Sequence, residues 1–137
     1  MEKIYSRVNA GQVLHVIHRK HEATMPRQDF AAPEESLQVA AIRLPRGKKV
    51  RPHRHLAHPR TARAVQEAWI VAQGKIKGTY YDVDKTVLSE QVLETGDCSV
   101  TFAGAHTYEP LEEDTLVYEA KTGPYLGQEK DLEYIGE

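Results

Sequence analysis

From Leu37 onward the chain is a series of short apolar or alternating runs set apart by turn-forming residues, and no run is long enough to make a convincing amphipathic helix. The runs are "LQVAAIRL" (37–44), "AWIVAQ" (68–73), "KIKGTYYD" (75–82), "TVLSEQVLE" (86–94), "CSVTF" (98–102) and "TLVYEAK" (115–121). Between them stand Pro45-Arg46-Gly47, Gln73-Gly74, Asp82-Val83-Asp84-Lys85, Thr95-Gly96-Asp97 and Glu112-Glu113-Asp114. Strands rich in Val, Ile, Thr and Tyr that recur every ~8–12 residues predict an all-β sandwich or barrel. Residues 22–36, "EATMPRQDFAAPEES", read as an irregular segment with at most one short helical turn, and the ordered core is expected after it. "HVIHRKH" (15–21) fits a first strand or a short helix, and periodicity does not separate the two.

A chain of 137 residues suits one domain with one core. Its 40% hydrophobic and 28% charged residues are a globular balance, which excludes disorder as the organising state. The single cysteine, Cys98, rules out an internal disulfide and reads as a small buried apolar residue. The N-terminus has no apolar signal region, and no window approaches the roughly 18 apolar residues of a membrane span. A soluble cytoplasmic protein with no membrane partner is the expectation.

Charge is unevenly spread. Residues 36–66 hold eight Lys/Arg and no acid, whereas residues 67–137 hold five Lys/Arg against fifteen Asp/Glu. A local basic segment beside a long acidic half argues against wrapping by nucleic acid, and the basic run lacks interleaved aromatics for base stacking. A small anionic ligand fits better.

The histidines sharpen this. His53 and His55 are two apart, so on a strand they leave the same face about 6 to 7 Å apart. Glu67 opens the run "EAWIVAQG", whose face continues through Trp69, Val71 and Gln73; a charge opening an apolar face is costly to bury unless it is paired or ligates a metal. His106 follows the Gly104-Ala105 turn, and Tyr108 shares its face. In an antiparallel barrel these positions can meet inside, giving three imidazole nitrogens and one carboxylate oxygen. Such a set suits Fe(II), Mn(II), Ni(II), Co(II), Cu(II) or Zn(II), with open positions left for water, substrate or dioxygen. On the same strand parity, Arg51 faces with His53 and His55 as a candidate anion clamp, and Arg60 and Arg63 can reach it from the following loop. A solvated basic rim explains these arginines equally well. His15, His18 and His21 read as ordinary surface histidines or supports of a ligand, because on a strand His15 and His18 point to opposite faces.

Gly47, five residues, His53-Arg54-His55, Glu67, six residues and Gly74 resemble the first sequence motif of the cupin superfamily. Gly96, five residues and Phe102-Ala103-Gly104-Ala105-His106 resemble the second. "KVRPHRH" (49–55), "TYYDVDKTVLSEQVLETGD" (79–97) and "YEAKTGPYLGQEKDLEY" (118–134) are further similar to the WbuC-type cupin-fold proteins of surface-polysaccharide clusters. The resemblance covers residues 37 to 135. It departs from the family in the eleven residues between His55 and Glu67, in Phe102 where proline is usual, and in a glycine-to-histidine spacer one residue short.

The resemblance implies a single cupin double-stranded β-helix, or jelly-roll barrel, over 37–137. Residues 1–36 would pack on it as an N-terminal strand and irregular segment within one structural domain. It implies a homodimer and a divalent transition metal on His53, His55, Glu67 and His106. It further implies an isomerase, epimerase or lyase acting on a small anionic carbohydrate-related substrate; Arg51, Arg60, Arg63 and Tyr108, read from their faces and loop position, are the candidate substrate contacts. No residue is assigned as the acid or base. An Fe(II)-dependent dioxygenase and a non-catalytic, metal-organised sugar- or anion-binding module are the alternatives.

Overall fold

The computed structural model describes residues 1–55, 64–124 and 126–135. Among these residues ten strands carry the fold: β1 (Glu2–Tyr5), β2 (Val13–His18), β3 (Arg27–Asp29), β4 (Ala40–Ile42), β5 (Glu67–Gln73), β6 (Lys75–Tyr81), β7 (Val87–Glu94), β8 (Cys98–Thr101), β9 (Ala105–Pro110) and β10 (Leu116–Lys121). Helical structure among the described residues is one 3-10 turn, Lys20–Glu22, and one α-helical turn, Gln128–Asp131. No helix there is long and apolar enough to cross a membrane.

A five-stranded sheet runs in the order β1-β2-β8-β5-β10, a three-stranded sheet in the order β7-β6-β9, and β3 pairs with β4. Every pairing is antiparallel. From β5 onward the chain keeps changing sheets, with β6-β7 as the one hairpin whose strands pair directly. The first crossing is a single-residue corner: Gly74, at φ +80°, takes the chain from β5 in one sheet to β6 in the other. A residue with a β-carbon is strained at such a φ. The fold is all-β, and among the described residues its sheets do not close into a barrel.

The two sheets face each other across one core. Ile4, Ile17 and Val71 of the larger sheet pack against Ile76, Tyr80 and Leu93 of the smaller. Burying aliphatic side chains of this size contributes about 1.5–3 kcal/mol each. The larger sheet is buried on its outer face as well, where Val16, Ala68, Cys98 and Val100 are covered by Phe30, Leu37, Val39 and Ala41. This explains the ambiguity of "HVIHRKH": β2 lies inside a sheet covered on both sides, so it lacks the alternation that marks a one-sided strand.

Four readings of the sequence are corrected here. The ordered core does not begin after residue 36, since Leu14, Val16 and Ile17 of β2 are fully buried. The run 37–44 pairs only over Ala40–Ile42. Residues 105–110, left out of the predicted strands, form β9 alongside β6. His15 and His18 are also buried rather than surface residues; His18 stacks on Phe30 at a centroid distance of 4.4 Å.

Candidate functional site

Register places the site. Thr101 of β8 is opposite His15 on one side and Glu67 on the other. On the facing sheet His106 is opposite Tyr80, and Tyr108 is opposite Gly78. Alternation along each strand turns Glu67, Trp69 and Val71 inward from β5, and His106 and Tyr108 inward from β9. Residues thirty-nine apart in sequence thereby meet: His106 Nε2 lies 3.1 Å from Glu67 Oε1.

Around this pair the contacts interlock. The Trp69 indole N–H donates to the same oxygen, Glu67 Oε1. Its ring stacks on Tyr108 at 4.3 Å and 21°, and Tyr108 lies 5.1 Å from the His106 ring. The Tyr108 hydroxyl is 3.1 Å from Ser99 Oγ, which also accepts from the Tyr80 hydroxyl at 2.9 Å. Space for this floor depends on Gly78, where a β-carbon would stand 2.6 Å from the Tyr80 hydroxyl. Burial pushes the Tyr80 phenol up to about 12 and that of Tyr108 upward too, so both stay protonated.

Burial alone would raise the Glu67 carboxyl, but the His106 bond and charge, the Trp69 N–H and the Lys121 cation outweigh it. The net direction is below the ordinary value, and Glu67 is held as a carboxylate. His106 Nδ1 is buried and has no hydrogen-bond partner among the described residues. An unsatisfied buried group costs about 1–3 kcal/mol, and native proteins retain such groups chiefly where a catalytic role, a water or an ion accounts for them.

His15 differs. Its Nε2 is 3.0 Å from the Tyr81 carbonyl and its Nδ1 is 3.0 Å from Thr101 Oγ1. A carbonyl can only accept, so Nε2 carries the proton and Nδ1 accepts from the threonine. Burial pushes this imidazole down to about 4, and with both nitrogens engaged it supports Thr101 rather than serving as a ligand.

The Glu67–His106 pair opens on a cavity of about 410 Å³, walled also by Thr101, by Asp82 and Lys85 of the β6-β7 turn, and by Glu133. The Asp82 carboxylate is committed to the fold: it accepts from the Ser6 hydroxyl at 2.6 Å and from the backbone N–H groups of Arg7 and Val83 at 2.5 and 2.7 Å. Lys85 pairs with Glu133 at 2.9 Å.

Of the four residues expected to bind metal, the structure joins two. His53 and His55 lie in the exposed stretch 43–55, which forms no strand. Pro52 removes one donor from any ladder there. Their rings are 5.3 Å apart, and His53 Nδ1 is 2.8 Å from the Arg51 carbonyl. No three His, Cys, Asp or Glu side chains gather as a metal group among the described residues. Arg51 is exposed. Arg60 and Arg63 lie outside the described residues. Tyr108 faces inward with His106, but its ring and hydroxyl are taken up by Trp69 and Ser99.

The donor chemistry of the joined pair fits a divalent ion. Bonds of roughly 2.1 Å to an imidazole nitrogen and a carboxylate oxygen at a right angle put the two donors about 3 Å apart, close to the separation present. Sequence reasoning missed the cavity roles of Thr101, Asp82 and Lys85, because a "DVDK" turn signals only a turn. The Trp69 bond had a visible signal, since residues two apart on a strand share a face. No family model, curated protein or solved structure matches the chain.

Proposed function

We propose that the chain is a cupin-type metalloprotein, a jelly roll akin to the WbuC-type proteins, that acts as an isomerase, epimerase or lyase on a small anionic carbohydrate-related substrate. The observation that carries this reading is the inward Glu67–His106 pair, 3.1 Å apart and open to the 410 Å³ cavity. The passage of the chain from sheet to sheet after β5 supports the jelly-roll part of it.

Glu67 and His106 would hold the ion together with His53 and His55, brought over from the 43–55 stretch. When bound, a divalent ion supplies Lewis-acid polarisation of a substrate carbonyl or hydroxyl. The protein's own groups do the rest. Without the ion, one proton sits between His106 Nε2 and Glu67 Oε1, and it must leave before both atoms can act as ligands. The Trp69–Tyr108 stack packs against both members of the pair, Trp69 through its bond to Glu67 and Tyr108 through its contact with the His106 ring. Lys85 is the Lys or Arg residue of the described cavity wall; it is paired with Glu133, and a substrate phosphate or carboxylate would have to take the place of that partner at the ammonium.

The test is metal analysis of protein purified without added metal, followed by assays with Mn(II), Ni(II) or Zn(II) on a panel of sugar phosphates and nucleotide sugars. Retained metal that is lost in both His106→Ala and His53→Ala, together with turnover of a panel member, is the expected result. A native protein that retains no metal and turns over nothing would sink the reading.

A further inference from the structure

We infer that Trp69 is the positioning residue of this site, setting the Glu67 carboxylate and the His106 imidazole in one geometry before any ligand arrives; this rests on the metal-centre reading above. A glutamate side chain has three rotatable bonds, and its backbone pairing in β5 leaves the carboxylate free to take many positions. Here two donors converge on one oxygen: the Trp69 indole N–H and His106 Nε2 both meet Glu67 Oε1. With Oε1 so anchored, Oε2 stays out of both bonds and its direction is set. The same indole reaches His106 indirectly, through the stack on Tyr108 and the contact of Tyr108 with the imidazole.

Tryptophan alone joins a large flat face to an N–H in the ring plane. Phenylalanine keeps a stacking ring and loses the donor. Tyrosine puts its donor at the ring's far end, and histidine gives up most of the stacking area. The slab is also supported from beneath, because Tyr108 stands on Ser99, which Tyr80 bonds from the other side. Outer partners that orient a ligating group typically govern metal affinity by about 10–100-fold.

The chain has one tryptophan, so its emission reports on this site alone. Titrating native protein with Cu(II) is expected to quench that emission with the stoichiometry of binding, and His106→Ala is expected to remove the effect. Trp69→Phe should bind Zn(II) at least about 10-fold more weakly by calorimetry and change the visible bands of the Co(II) form. Trp69→Leu, which loses the stack as well as the donor, should bind at least as weakly and lose more thermal stability, which separates positioning from packing. Native affinity and an unchanged Co(II) spectrum in Trp69→Phe, with binding abolished in His106→Ala, would overturn this inference and leave the metal centre standing. A native protein that binds none of the three ions would overturn both. Were neither Trp69 variant to fold, stoichiometric binding without any change in native emission would still overturn it.

Discussion

Two regions carry the residues expected to bind metal, and they are built differently. Glu67 and His106 sit on strands whose register is fixed on both sides, Glu67 opposite Thr101 and His106 opposite Tyr80. His53 and His55 sit in an exposed stretch without a strand, where the backbone bond from Lys48 to Pro45 and the His53 contact with Arg51 are both local. A donor held by a ladder is in place before a ligand binds, whereas a donor on a solvated segment must be ordered at that moment, at about 1–2 kcal/mol per residue fixed. Under the proposed metal-centre reading, the strand-borne half would provide geometry and the loop-borne half closure.

The widest gap between the regions should appear in stability. Tyr80 is fully buried between the sheets and bonds Ser99. Tyr80→Ala is expected to cost about 3–5 kcal/mol in urea unfolding through the cavity it leaves and the bond it removes. Val50→Ala in the exposed stretch is expected to cost less than about 0.5 kcal/mol. Comparable losses at the two positions would show that residues 43–55 are packed after all.

A second contrast is in pH. The folded value of His15, about 4, lies below the ordinary 6.5, so the unfolded chain takes up this proton first as pH falls. The stability tied to a neutral His15 is fully present above about pH 6.5 and is lost as pH drops toward 4, a total of about 3 kcal/mol. Urea midpoints from pH 7 to 4 should fall more steeply in native protein than in His15→Gln. Parallel curves would break the assignment of His15 as a neutral, doubly bonded support.

Glycines give a finer comparison. Gly104 and Gly47 share a left-handed backbone, at φ +79° and +83°. At Gly104 a β-carbon would come within 2.4 Å of the Tyr81 carbonyl oxygen, while at Gly47 it would meet nothing within 4 Å. Gly47→Ala should therefore lose only the conformational term, about 1 kcal/mol. Gly104→Ala should lose about 2–4 kcal/mol, since the turn that presents His106 must shift. Equal thermal shifts would mean the β8-β9 turn is as open as the basic stretch.

What could be read from the sequence follows the same divide. Strands β5, β6, β7, β8 and β10 were legible because alternation and Gly or Asp corners are local signals. β2 was not, because a strand buried on both faces loses its alternation, and β9 was hidden behind Gly104 and a terminal Pro110 until β6 supplied a partner. Glu67 announced itself as a charge opening an apolar face. For His53 and His55 a two-residue spacing predicted a shared face, but that argument needs a ladder, and Pro52 sits between them and Arg51 with no strand alongside. Tyr108 had the right parity; its ring went to Trp69, a contact that depends on two sheets meeting and that no single run encodes.

The smallest effect tests the loop itself. Arg54 is exposed and falls within a run of like charge, with no acidic residue from 36 to 66 to pair with nearby in sequence. Removing a solvated cation from such a stretch takes away mutual repulsion as well as hydration, so Arg54→Ala is expected to move stability by no more than about 0.5 kcal/mol in either direction. Because Arg54 lies between the two histidines, metal binding by the same variant discriminates further. If the loop closes over Glu67 and His106 by its histidines alone, Zn(II) affinity in calorimetry should stay within about threefold of native or tighten slightly as a positive charge leaves the neighbourhood of the ion. A tenfold loss would mean that the guanidinium itself anchors the closed loop, and the division between a preset half and a closing half would have to include it.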